Sequence, residues 1–423
     1  MPIRRPVRLA AAAALAAALL PATAAGAARK APCLPGGDGP RCLVWTGKVL
    51  SVNDGDTFKV DLDGDGRRRG VDVRFAAVQA MELTVHHPNP AKRRDECHGI
   101  EATARVEQLV KASGKRVRLT AEHASSRSDR RLARHVAVRR GGRWEDLGSI
   151  LMAEGHALFL ANPKEPAWNR TYDELSQQAA LAGRGIWNPT HCGAGPAQDV
   201  PLRIWANWNP PGVDNLDLDG EWTKVRNDSA DRSVSLGGWW IRDSMQRRFI
   251  VPAGTVLGPG RTLTLHTGPG ADDGLTFRWG LGITLFPNPE DGGEGDGAYL
   301  FDPQGDLRAA MTYPCLVACG HPDAGALTVA ADPRGSESVT VRNVAGRPVD
   351  LADKVLAVNA GFAFPFGDGA VLLPGQARVL RLGADLGMDR PIMRDRGGAA
   401  RIATFRDITL ACAACAAWGF RSC

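Results

Sequence analysis

The chain repeats itself at long range. Glu221–Leu236 reads EWTKVRNDSADRSVSL, and Glu337–Leu351 reads ESVTVRNVAGRPVDL, one residue shorter. Downstream, FIVPAGTVLGPGRTLTLHTG is echoed by FAFPFGDGAVLLPGQARVLRLG. The offset from Glu221 to Glu337 is far longer than a solenoid period of ~20–50 residues, so it marks a duplicated domain. Short alternating runs such as EWTKVRN, VSLGGWWIRD, RTLTLHTG and GAYLFD lie between Gly, Pro and Asp turns, with no sustained helical period. That is the pattern of a β-sandwich. The repeat assigns 199–314 and 325–423 to two similar sandwiches and leaves the preceding segment as a separate domain.

The N-terminus reads as a secretory signal over 1–27. Arg4, Arg5 and Arg8 precede an apolar run from Leu9 to Leu20, and Ala22-Thr23-Ala24 or Ala25-Gly26-Ala27 offers a cleavage site. The run is shorter than the ~20 residues of a comfortable membrane helix; an uncleaved anchor is the alternative. No later segment reads as a membrane span, so a secreted, extracellular protein is expected. In that compartment the nine cysteines are expected to form disulfides. Proximity in sequence suggests Cys33–Cys42 and Cys315–Cys319. Cys97 and Cys192 bracket one block, and Cys412 and Cys423 flank the C-terminal segment, leaving Cys415 over. Cys97-His98 and His191-Cys192 also match a four-ligand zinc set, against which the export signal favours the disulfide.

The block 43–192 mixes strands and helices. TFKVDL and VDVRFAAV alternate with period two. HGIEATARVEQLVKAS places Ile100, Val106, Leu109 and Val110 at helical spacing. DLGSILMAEGH reads as a short helix closed by Gly155, and TYDELSQQAALAGRG opens on a Thr171–Glu174 capping box. From Trp45 to Cys192 there are 24 Lys/Arg against 19 Asp/Glu, so this block carries +5 of the chain's +6. A mild positive excess is compatible with an anionic partner.

The same block holds a constellation of charged residues. Asp54 and Asp56 flank Gly55 just before a strand, and hard cations prefer carboxylate oxygens. Val71, Val73 and Phe75 share one strand face, which turns Arg74 to the other; Glu82 follows that strand. Phosphodiester hydrolysis needs a base for water, cations for the phosphate and a metal to neutralise charge. A surface salt-bridge cluster is the plainer alternative. Asp61, Asp63, Asp65 and Gly66 match the first half of an EF-hand loop with Asp72 at its twelfth position, but strands on both sides make this a hairpin tip.

In order along the chain, VNDGDTFKV, VDVRFAAVQAMEL, HGIEATARVEQLV, SRSDRRLARHVAV, DLGSILMAEGHALFL and YDELSQQAALAGRGIWN resemble the staphylococcal nuclease family. The resemblance implies an OB-type β-barrel with packed helices that hydrolyses DNA and RNA with calcium. By position, Asp56, with Asp54 beside it, resembles the metal aspartate. Arg74 resembles the phosphate-gripping arginine, and Glu82 the glutamate acting on water. The second arginine is Arg134 if one residue is inserted, with Arg131 as the fallback. One position departs. Where the family usually writes Asp-(Ala/Thr)-Pro-Glu, this chain has Gln79-Ala80-Met81-Glu82, which removes a charge from the metal site.

Residues 201–313 resemble the lamin-tail domain, an immunoglobulin-like sandwich, in their Trp-Ile-Arg-Asp and Gly-Pro-Gly elements; the copy from Ala326 onward is degenerate. The resemblance implies an accessory module of unknown ligand. Trp205, Trp208, Trp222, Trp239 and Trp240 either stack on a ligand or fill the core; one of the adjacent Trp239 and Trp240 must face inward. The expectation is a multidomain secreted nuclease, an OB-type barrel with helices followed by two immunoglobulin-like sandwiches. The alternative is a catalytically impaired exported protein that binds nucleic acid or a cell surface.

Overall fold

A computed structural model describes residues 29–34, 39–66, 69–83, 96–193, 200–210, 214–288, 295–358, 363–387, 393 and 397–418. The expected signal segment 1–27 and Cys423 lie outside them. The chain is a β-rich multidomain protein with few helices. No helix among the described residues is long and apolar enough to cross a membrane.

The first region contains β1 (Arg29–Pro32), β2 (Arg41–Asp54), β3 (Thr57–Leu62), β4 (Val71–Phe75), β5 (Val78–Ala80), α1 (Gly99–Ala112), β6 (Arg116–Ala121), β7 (Arg127–Ser128), β8 (Arg131–Arg140), β9 (Arg143–Asp146), α2 (Leu147–Glu154), β10 (Ala157–Phe159) and α3 (Asn169–Leu181). Antiparallel β2–β3 and β3–β4 pairs lead to a parallel β4–β8 pair, then β8–β6, and β6 pairs back onto β2. The core inside this ring is built from alternating residues, among them Phe58, Val60, Val73, Val117, Leu119, Val136 and Val138. DLDGDG caps the β3–β4 hairpin, with the Asp63 carboxylate gripped by the Arg116 guanidinium and accepting from Thr46 Oγ1 at 2.5 Å. It is a tied hairpin end between strands.

α1 buries Ala102, Val106, Leu109 and Val110 against the ring. Ile100, expected on that face, is 60% exposed; two residues before Ala102 it sits ~200° around the helix axis. α2 is capped by Asp146, whose Oδ1 accepts from Ser149 N at 2.7 Å, and it stops at Gly155 in the left-handed region. The expected capping box does not form. α3 begins at Asn169, after a Pro166–Trp168 turn, so Thr171 and Glu174 lie inside the helix. Glu174 instead pairs with Arg170 at 2.9 Å.

The two later domains repeat one plan. In the first, Leu202–Asn207, Trp222–Asn227, Thr262–His266 and Thr276–Arg278 form one sheet; Arg248–Ile250, Trp240–Arg242, Asp296–Phe301 and Leu307–Tyr313 form the other. In the second, Leu327–Asp332, Ser338–Asn343 and Ala377–Arg381 oppose Ala363–Pro365, Lys354–Val358, Ala400–Thr404 and Thr409–Ala413. The strand order matches except that Thr276–Arg278 has no counterpart among the described residues.

The asparagine ending each repeated VRN does the same work in both copies. Asn227 Nδ2 donates to Arg232 O and Leu257 O at 2.6 and 3.0 Å, and Asn343 Nδ2 donates to Arg347 O and Leu372 O at 2.8 Å each. Trp205, Trp208, Trp222 and Trp239 are core. Trp240 faces outward and stacks on Phe301 in a separate cluster with Met81, Leu158, Ile186 and Trp187, which joins the first sandwich to the N-terminal domain. The second sandwich joins the first through Ala352, Val355, Ala403 and Phe405, and Trp208 Nε1 donates to Phe405 O at 2.7 Å.

Disulfides link Cys33–Cys42, Cys97–Cys192 and Cys315–Cys319, as expected. Cys412 pairs with Cys415, not with Cys423. Ala414 takes φ 50° between them, and the chain doubles back enough to bring the two Cα atoms to 5.4 Å, well within bridging range.

Candidate active site

The Asp54–Asp56 turn fits only because its middle residue lacks a side chain. A Cβ on Gly55 would stand 2.7 Å from Ala80 Cβ and 2.8 Å from Ala102 Cβ, so the turn passes tightly between β5 and α1. Asp56 is buried. Its Oδ1 is ion-paired with Arg74 and accepts from Thr57 Oγ1 at 3.0 Å, and its Oδ2 accepts from Ala80 N at 2.9 Å. Asp54 Oδ1 accepts from Asp56 N at 3.0 Å. Burial, and then the charge of Asp56, push the Asp54 carboxyl up to about 7.

Gln79 bridges the centre. Its Oε1 accepts from Arg74 at 2.6 Å, while its Nε2 donates to Glu82 Oε1 at 3.2 Å and to Ala80 O at 3.0 Å. Burial first, and Asp56 second, raise Glu82 above the ordinary carboxylate range. Thus Asp54, Asp56, Arg74, Gln79 and Glu82 form one connected group.

Arg134 does not join it. Its guanidinium donates to Ala124 O, Ser126 O and Ala133 O at 2.8, 2.9 and 2.6 Å and lies 4.5 Å over the Trp45 ring. Strand parity is the reason. β4 and β8 pair Arg74 with Ala133 and Phe75 with Arg134, and side chains alternate between faces. Arg134 therefore shares the face of Phe75, and Arg131 shares the face of Arg74. Arg131 donates to Thr57 Oγ1 at 3.2 Å. It lines, with Arg74, Gln79 and Arg127, a cleft of ≈ 340 Å³.

The far wall of this cleft belongs to the first sandwich. Met245, Gln246 and Arg247, in the hairpin loop between Trp240–Arg242 and Arg248–Ile250, line it. Gln246 Nε2 donates to Glu82 Oε1. Arg242 and Arg248 both pair with Glu96, whose Oε2 accepts from Glu82 N at 2.9 Å. The sandwich thus braces both the backbone and the carboxylate of Glu82. Sequence reading missed Gln246, Arg247 and Glu96, because nothing in local spacing ties residues so distant in the chain.

The donor set suits a hard cation in charge. Two acidic side chains sit side by side, and burial, followed by the charge of Asp56, raises Asp54. Gln79, already accepting from Arg74, adds no negative charge. The acidic stretch Asp214–Gly220 is a turn in which Asp217 Oδ1 accepts from Gly220 N at 2.9 Å and Asp219 pairs with Arg278.

The sequence model of the lamin tail domain family matches residues 207–315, an immunoglobulin-like fold that corresponds to the first sandwich. No curated protein matches the chain.

Proposed function

We propose that the protein is a secreted nuclease that hydrolyses phosphodiester bonds of DNA or RNA in the Arg74–Arg131 cleft. The observation that carries this reading is the single connected group in which Gln79 links Arg74 to Glu82 beside Asp56. The ring of strands β2-β3-β4-β8-β6 suits an OB-type barrel. Arg74, oriented by Asp56, and Arg131 would hold the phosphate and stabilise its developing charge. Glu82, with its raised pKa, would take the proton from attacking water, since a base is most effective when its pKa approaches the working pH. Asp56 and Asp54 would hold calcium or another divalent cation, which supplies charge neutralisation at the phosphate when bound. The sandwiches would present this domain, and the first would also complete the cleft.

The test is digestion of DNA and RNA by the purified mature chain in calcium, manganese, magnesium or EDTA. Cleavage that needs a divalent cation is expected; intact nucleic acid under every cation overturns the proposal. The second reading, a binding protein without turnover, draws on a specific observation: Asp56 is committed to Arg74, and Gln79 replaces a carboxylate. Salt-sensitive binding without cleavage would favour it.

Cation affinity is expected to depend on pH. Asp54 must lose its proton to act as a ligand. Affinity should therefore rise about tenfold per pH unit below about 7 and level off above it. The folded chain holds this proton at pH values where the unfolded chain has released it. Asp54's own contribution to stability is thus largest in acid and is lost as the pH rises through about 7. Calorimetric calcium titrations from about pH 5 to about pH 8 would check this; a flat profile contradicts it.

A further inference from the structure

We infer that His98, Glu101 and His191 form a second metal site, for a borderline transition-metal cation such as Zn²⁺, at the junction of the N-terminal domain and the first sandwich. The Cys97–Cys192 disulfide holds the two adjacent histidines together, with Cα atoms of the cysteines 5.8 Å apart. One ligand atom from each of His98, Glu101 and His191 lies within 4.8 Å of the others. The His98 and His191 rings meet edge-on with centroids 4.7 Å apart. From the first sandwich, Asp306 Oδ1 accepts from Cys192 N at 2.6 Å and fixes the same stretch.

A chain of polar contacts leads to His98. Arg105 grips Glu154 with two donors at 2.7 and 2.6 Å. Glu154 stands 3.6 Å from His156 Nε2, a contact that favours the tautomer with its proton on that nitrogen. His156 Nδ1 is then left to accept from His98 Nε2 at 3.0 Å. This leaves a lone pair on His98 Nδ1, which is buried without a hydrogen-bond partner among the described residues, although His98 is only 3% exposed. A carboxylate–imidazole relay behind a ligating histidine is the usual way a metal ligand's tautomer and orientation are set.

Glu101 and His191 are exposed side chains and can close the remaining distance to the ~2.0–2.2 Å bonds of zinc. Three protein ligands leave the fourth position of a tetrahedron to water. Imidazole nitrogen and carboxylate suit zinc better than calcium, which separates this site chemically from Asp54 and Asp56.

The test uses the purified full mature chain, titrated with Zn²⁺ alone by calorimetry and with Co²⁺ by visible absorption. One zinc per chain and the intense d–d bands of tetrahedral cobalt are expected. The surface substitutions His191→Ala and Glu101→Gln should each weaken zinc at least about tenfold, with melting temperatures near wild type before metal is added. Asp56→Asn should leave zinc affinity unchanged. Absence of zinc binding, or binding indifferent to His191→Ala and Glu101→Gln, overturns the site.

Discussion

Glu82→Gln is expected to slow phosphodiester cleavage by ~10²–10⁴-fold, the usual cost of removing a general base, while DNA affinity and melting temperature stay close to wild type. Glutamine keeps the shape of the side chain and an oxygen at the position that accepts from Gln79 and Gln246, so the connected group should survive. What disappears is the carboxylate, and with it the capacity to take a proton from water. Because burial and the charge of Asp56 hold Glu82 above the ordinary carboxylate range, the substitution also removes a buried repulsion; a small gain in thermal stability would agree with this. The pH profile supplies a second check. Measured at saturating cation, so that Asp54 does not enter, the acidic limb of the wild-type profile should fall at higher pH than an exposed glutamate would give, and it should vanish from the residual activity of the variant. A variant that cleaves at the wild-type rate removes Glu82 from the role of base.

Repetition and parity made much of this chain legible. The two sandwiches were visible because the repeat preserves what each copy must satisfy: the VRN asparagine closes on two backbone carbonyls in both. DGDT and VDVRF were readable because a tight glycine turn and a two-residue period leave few placements for Asp56 and Arg74. Other features depend on contacts that local pattern does not encode. Gln246 reaches Glu82 across 164 residues of sequence. His156, which faces His98, follows the Gly155 cap of α2, while the other two histidines had drawn notice only as neighbours of cysteines. The C-terminal disulfide differs from the expected Cys412–Cys423 pair because flanking positions in sequence do not encode a local reversal, and a left-handed Ala414 brings Cys415 to Cys412.

Arg131 and Arg134 are expected to separate activity from stability. An alignment that inserts one residue favours Arg134, but a one-residue shift along a strand moves a side chain to the opposite face. The β4–β8 register places Ala133 beside Arg74, so Arg131, two residues earlier, is the arginine on the side of the cleft. Arg131→Ala should therefore lower kcat by ~10²–10³-fold, the cost of losing one donor to developing charge, and change stability by no more than about 0.5 kcal/mol. Arg134→Ala should do the reverse. It leaves three backbone carbonyls without their guanidinium donor and strips the cation from the Trp45 ring, a loss of about 3 kcal/mol. The fraction that stays folded should keep a near-normal rate. Urea unfolding and initial rates measured on the same preparations distinguish the two. A collapse of activity in Arg134→Ala with stability intact would mean that the working register of β8 differs from the one described here.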